Sequence, residues 1–208
     1  MQLTKYGHAC VRLDNEGGGS VVLDPGVYSP DVDLTGVADV LVTHEHADHL
    51  DVDRLVPLVR DGLRLHTNAA VAEQLRADHG IDVHAVAPGE TFDVAGLEVR
   101  VVGGEHAEIY DGLPGCANVG FVLGGVYHPG DSVHVPDVEV STLLLPVSAP
   151  WLKLAEALDF VRAVAPARAF PVHDAMLSEI GAGGVDRWVE MKGGSDYRRL
   201  ATGESADL

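Results

Sequence analysis

Thr43-His44-Glu45-His46-Ala47-Asp48-His49 directly follows the apolar run Val40-Leu41-Val42. Three imidazoles and a carboxylate stand within six positions, where a buried strand runs out into a loop. Such a group is ill suited to a core, because burying unpaired polar rings and an ionised carboxylate is costly. It suits a transition metal, for which imidazole and carboxylate are good ligands. In an extended segment His44 and His46 point the same way, with one residue between them. A turn after them lets Asp48 and His49 face a second position, so that one short loop can serve two ions.

The same arrangement recurs along the chain. Val21-Val22-Leu23 leads into Asp24-Pro25-Gly26, and residues 97–102 lead into Gly103-Gly104-Glu105-His106. Val126-Tyr127 leads into His128-Pro129-Gly130-Asp131, and Ala169-Phe170-Pro171-Val172 into His173-Asp174. Each polar group stands at the C-terminal end of an apolar strand, the edge where loops gather and sites form. Several such ends carrying His or Asp point to a shared rim.

Between these points strand and helix patterns mix throughout. Strands are expected over 2–13 (broken at Gly7-His8), 20–23, 39–42, 63–66, 141–146 and 168–171. Hairpins are expected for 91–94 with 97–102 about Ala95-Gly96, and for 119–123 with 126–128 about Gly124-Gly125. Residues 51–61 read as helical, with Pro57 opening a second short helix. Asn68 can cap a helix over 69–79, and Leu154, Leu158 and Val161 give 151–165 an apolar face. A further helix includes 185–191 after a weak spot at 181–184, and the tail 193–208 reads as irregular. This order predicts an α/β protein with two sheets packed face to face and helices outside, in one domain over residues 1–208.

The chain of 208 residues is 46% hydrophobic and 22% charged, an ordinary globular composition. Its 32 acidic residues against 14 basic ones give a net charge of −18. That balance, with no basic run, argues against nucleic acid and against anionic membrane surfaces as partners. A small-molecule substrate is the expected partner. Cys10 and Cys116 read as two free thiols. No basic stretch followed by an apolar core opens the chain, and no uncharged apolar run is long enough for a bilayer, so the expected location is cytoplasmic.

With these elements in place the chain resembles the metallo-β-lactamase superfamily of metal-dependent hydrolases. The likeness runs from Leu23-Asp24-Pro25-Gly26 through His44–His49, His106 and Gly130-Asp131 to Pro171-Val172-His173, in the family's order. Lys5-Tyr6-Gly7-His8-Ala9 and Tyr127-His128-Pro129-Gly130-Asp131-Ser132 look most like compact lactonase-like and uncharacterised hydrolase branches, ascorbate-phosphate lactonase-like proteins among them. The resemblance implies a four-layer αββα sandwich of two similar halves. It implies two divalent transition ions, zinc first, with manganese or iron as alternatives. His44, His46 and His106 would hold one, Asp48, His49 and His173 the other, and Asp131 would bridge them. Asp24 would orient a ligand imidazole or the Asp48-His49 loop. A metal-bound, bridging hydroxide would attack a lactone, an ester or a phosphate ester, with Asp48 as the catalytic carboxylate that orients it or passes its proton on.

Other residues and readings stay open at this point. His8 reads equally as a structural histidine or as a neighbour of the site, and His128 as lining the pocket or facing away. Trp151 can wall the pocket or anchor a helix in the core. His66, His79, His84 and His134 read as surface residues. Segments 27–36, 107–117 and 132–138 are expected to shape the substrate pocket. The competing functions are an iron-dependent redox enzyme of the same fold and a non-catalytic metal-binding protein.

Overall fold

The computed structural model describes residues 1–113 and 115–208. Its first half builds a sheet from β1 (Gln2–Gly7), β2 (Cys10–Asp14), β3 (Ser20–Leu23) and β4 (Asp39–Val42), then α1 (Val52–Arg60), β5 (Arg64–Asn68), α2 (Ala69–His79) and β6 (His84–Val86). The second half begins with the meander β7 (Thr91–Val94), β8 (Leu97–Glu105), β9 (Ala117–Leu123) and β10 (Val126–His128). It continues through β11 (Thr142–Pro146), α3 (Leu154–Val164), β12 (Arg168–Val172), α4 (Glu179–Lys192), β13 (Asp196–Tyr197) and β14 (Ser205–Asp207).

Both halves follow one plan. Antiparallel hairpins come first, and parallel strands are then added at one edge: β4, β5 and β6 in the first sheet, β11, β12 and β13 in the second. The strand orders are β14-β1-β2-β3-β4-β5-β6 and β13-β12-β11-β10-β9-β8-β7.

Side-chain alternation explains the layering. Val21, Leu23 and Leu41 face the second sheet and pack with Val99, Phe121, Val126 and Leu144. Their neighbours Val22, Val40 and Val42 face outward and are covered by Leu55 and Val56 of α1 and by Val71 and Leu75 of α2. On the far side, Leu143, Leu145 and Ala169 are covered by Ala157, Phe160 and Val161 of α3 and by Val189 of α4. Strands buried on both faces read as unbroken apolar runs, as β4 and β11 do. This is the expected αββα sandwich. Cys10 and Cys116 are free thiols. Among the described residues no helix is long and apolar enough to cross a membrane.

Four local expectations differ from the structure. Pro57 lies inside a continuous α1 and does not start a second helix. The helix has only nine residues, so the missing N–H costs one bond near its end, and Leu55 and Val56 hold the face in the core. Glycines 181, 183 and 184 do not interrupt α4, which Ser178 caps by accepting from Gly181 N–H. The tail is ordered: β13 extends the second sheet, and β14 pairs antiparallel with β1, burying Ala206. His66 is buried, not on the surface; its Nε2 lies 2.9 Å from Asp39 Oδ1 and its ring stacks on Phe92.

Candidate metal centre

Strand ends deliver the site residues to one edge of the sandwich. Asp24 follows β3, His44–His49 follow β4, His106 follows β8, Asp131 lies beyond β10, and His173 follows β12. The loops that turn there are strained: His8, Asp24 and His173 have φ of 40°, 47° and 57°, a region that side chains other than glycine seldom adopt. At Gly26 a Cβ would meet the Asp48 carbonyl at 2.0 Å, so only glycine lets the Asp24 turn lie against the Asp48-His49 backbone. Asn118 holds the Asp131 turn, accepting from Asp131 N–H at 3.0 Å and donating to Pro129 O at 3.0 Å.

Two clusters result. His44, His46, His106 and Asp131 present ligand atoms that all lie within 4.8 Å of one another, as do His8, Asp48, His49 and His173. Asp131 stands between the two: Oδ1 is 3.0 Å from His49 Nε2, and Oδ2 is 3.2 Å from both His106 Nε2 and His173 Nε2. Every residue expected at the centre from the sequence is therefore in one of these clusters or, for Asp24, directly behind them.

Surrounding bonds select which ring nitrogen each imidazole offers. His106 Nδ1 donates to Ala107 O at 2.6 Å and His173 Nδ1 to Ser148 O at 2.5 Å; a carbonyl only accepts, so in the neutral ring it is Nε2 that carries the lone pair. His49 Nδ1 donates to Asp24 Oδ2 at 2.7 Å with the same effect. Thr43 donates its hydroxyl hydrogen to Asp24 Oδ2 at 2.8 Å, so its oxygen accepts from His44 Nδ1 at 3.0 Å and frees His44 Nε2. His46 is turned the other way, with Nδ1 3.0 Å from His44 Nε2 and Nε2 4.0 Å from Cys116 Sγ. Asp24, expected as the orienting carboxylate, thus reaches two of these rings, one directly and one through Thr43.

The electrostatics show what the clusters lack. Burial would lower the His173 imidazole, yet the carboxylates of Asp131 and Asp48 outweigh it and push it up to about 9. Burial would raise Asp131, yet His49, His106 and His173 hold it far below the usual carboxylate range. Among the described residues, His49 Nε2, His106 Nε2, His173 Nε2 and Asp131 Oδ1 are buried without a hydrogen-bond partner: the ionic contacts of 3.0–3.2 Å between Asp131 and these rings lack hydrogen-bond alignment. Leaving such atoms unsatisfied costs about 1–3 kcal/mol each. A divalent cation in each cluster would satisfy these atoms, and the donor set of nitrogen and oxygen fits such ions.

Residues left open by the sequence now have places. His8 accepts from Ala175 N–H at Nδ1, 3.3 Å, so its Nε2 donates to Asp48 Oδ2 at 2.9 Å; with both nitrogens engaged it holds Asp48. His128 is fully buried, donating from Nε2 to Ala9 O and accepting Gly130 N–H at Nδ1, so it braces the Asp131 turn. Trp151 is buried and donates from Nε1 to Asp131 Oδ2 at 3.0 Å. A cavity of about 730 Å³ opens over His46 and His106, walled largely by segment 104–117. Of the pocket segment 107–117, Pro114 lies outside the described residues.

Comparison with known proteins identifies the family and the fold. The family described as Beta-lactamase superfamily domain matches residues 2–173, a span that ends on His173. Protein Rv0786c of Mycobacterium tuberculosis is 40% identical over 187 residues, covering 86% of each chain. The UPF0173 metal-dependent hydrolase MJ1163 of Methanocaldococcus jannaschii is 31% identical over 193 residues, covering 82% of this chain and 83% of that one. In fold, the chain is similar to Igni18, a metallo hydrolase of Ignicoccus hospitalis, with a TM-score of 0.76 at 20% identity, covering 99% of this chain and 97% of that one. The chain belongs to the β-lactamase superfamily, on the side of it that holds the UPF0173 metal-dependent hydrolases.

Proposed function

We propose that the two clusters hold two divalent transition ions, zinc first and manganese or iron as alternatives, and that the protein hydrolyses a lactone, an ester or a phosphate ester of small or medium size. The observation that carries this reading is the set of four buried, unpartnered atoms on His49, His106, His173 and Asp131. His44 and His106 through Nε2 and His46 through Nδ1 would hold one ion, and His49 and His173 through Nε2, with Asp48, would hold the other, with Asp131 facing both. Divalent ions bound there supply Lewis acidity and bring the pKa of a water to about 7.

The chain's own groups do the rest. Asp131 is kept ionised by its imidazole neighbours and is oriented by the Trp151 N–H and the Asn118 amide. Asp48 is the most accessible carboxylate of the centre, its side chain 22% exposed against 4% for Asp131, and it is placed to orient the attacking water or pass its proton on. His8 keeps that carboxylate turned inward. Cys116 is little ionised near neutral pH and is not needed as the reaction's nucleophile, since burial, with Glu45 near it, pushes its thiol up to about 11. A cavity of about 730 Å³ suits a small-molecule partner.

The test is a panel of ester, lactone and phosphoester substrates assayed after chelation and again after adding back zinc, manganese or iron. Turnover of at least one class, lost on chelation and restored by metal, is expected. Turnover that ignores the chelator, or none from any metal-loaded form, contradicts the reading.

A further inference from the structure

The cavity over His46 and His106 has walls of unusual charge. Glu45, Glu105 and Glu108 line it, and none of the three forms an ion pair among the described residues. Ile109 and Leu113 give it an apolar side, 45% and 56% exposed. Among the described residues no lysine or arginine lines it. The candidate ligands His46 and His106 are among its lining residues, so the cavity opens on one edge of the candidate metal centre and is not a bare acidic patch.

Sites built for phosphate meet its charge with Arg, Lys or a cluster of backbone N–H donors. Here an incoming phosphate, carrying about −1.5 to −2 near neutral pH, would pass three carboxylates on a chain of net charge −18. Asp48 and Asp131 would balance half the charge of two divalent ions, and the wall carboxylates repel anions at the entrance.

We propose that this cavity selects an acyl compound without negative charge, a neutral or cationic ester or lactone with an apolar arm against Ile109 and Leu113, and turns phosphate esters away. The inference rests on the hydrolase reading above. In the reaction the oxygen of water bonds to the acyl carbon and the bond from that carbon to the leaving oxygen breaks. One proton of the water stays on the acid product or is lost to solvent, and the other ends on the leaving oxygen.

Cys116 gives a readout independent of turnover. It lines the cavity, whereas Cys10 is fully buried. Its thiolate attacks a methanethiosulfonate, forming a disulfide and releasing methanesulfinate. Comparing a trimethylammonium reagent with a sulfonate reagent cancels the thiolate fraction, because both meet the same thiol.

On the full-length, metal-loaded protein, the cationic-to-anionic rate ratio should exceed that of a small free thiol by on the order of tenfold. It should fall in the E45Q/E105Q/E108Q variant, whose altered residues are exposed and leave the core intact, and shrink at high salt. C116S should abolish labelling. A ratio equal to that of the free thiol, or favouring the sulfonate, overturns the proposal. In parallel, 4-nitrophenyl esters with cationic, neutral and anionic acyl arms should fall in kcat/KM by on the order of tenfold at the anionic one. Faster hydrolysis of 4-nitrophenyl phosphate overturns the charge selection and leaves the hydrolase standing. No turnover of any of these substrates or of a lactone panel by the metal-loaded protein, with thiol selectivity intact, defeats the hydrolase reading instead.

Discussion

His8 uses both ring nitrogens, one on Ala175 N–H and one on Asp48, and its carbonyl accepts from His173 N–H at 3.1 Å. It therefore fixes two neighbours of one candidate ion without having a lone pair to give. Outer hydrogen bonds of this kind tune metal affinity by about 10–100-fold. His8→Ala should weaken the ion served by Asp48, His49 and His173 by about that factor, and spare the ion served by His44, His46 and His106. His8→Gln, which keeps an N–H donor, should recover part of the loss. Competition with a chromophoric chelator measures both, and unchanged affinity in His8→Ala would contradict the positioning role. The sequence left His8 open for a physical reason: its contact with Asp48 spans 40 residues and depends on a bulge between β1 and β2 and on a positive φ. Trp151 was hidden in the same way, since its bond to Asp131 joins residues 20 apart through a loop with no periodic signal. By contrast His44, His46, Asp48 and His49 were legible, because ligand-like residues were packed at short spacing after an apolar strand.

At the scale of elements, β4 and β5 are joined by more than their ladder. Asp39 opens β4 and is buried, with Arg64 on both its oxygens at 2.7 and 2.6 Å and His66 on one of them. Burial works against the charge, but Arg64 and His66 outweigh it and hold the carboxyl below its ordinary value of 3.8. A depressed folded value means that this stabilisation is fully present above the ordinary one and is lost as pH falls through the depressed one. Asp39→Asn should cost about 2 kcal/mol in urea unfolding near neutral pH. The gap from the unaltered protein should narrow below about pH 4, where the carboxyl protonates. A gap that stays constant or widens in acid would contradict this role. The apolar runs and the hairpins about Ala95-Gly96 and Gly124-Gly125 were readable, since alternation and turn residues are local. The β14 strand was not, because its partner β1 lies at the other end of the chain and its own residues are polar. Pro57 and the glycines of α4 misled for the opposite reason, as tertiary burial overrode local propensity.

Across the whole molecule, two sheets of one plan bring five strand ends to a common edge, where the left-handed turns at His8, Asp24 and His173 and the close approach at Gly26 also lie. The inner layer of Leu23, Leu41, Phe121 and Leu144 gives that edge a rigid floor, which a preorganised metal centre needs. The centre itself is built around Asp131, facing both clusters, with unpartnered nitrogens around it. Ions bound to the folded chain alone would also stabilise it, by about 2.7 kcal/mol at a hundred times the dissociation constant. The most direct test is anomalous diffraction from crystals of the metal-loaded protein. The account predicts two peaks on either side of Asp131, one amid His44, His46 and His106 and the other amid Asp48, His49 and His173, each about 2.0–2.2 Å from its imidazole nitrogens. No peak at either cluster, or ions bound only elsewhere on the acidic surface, would contradict it.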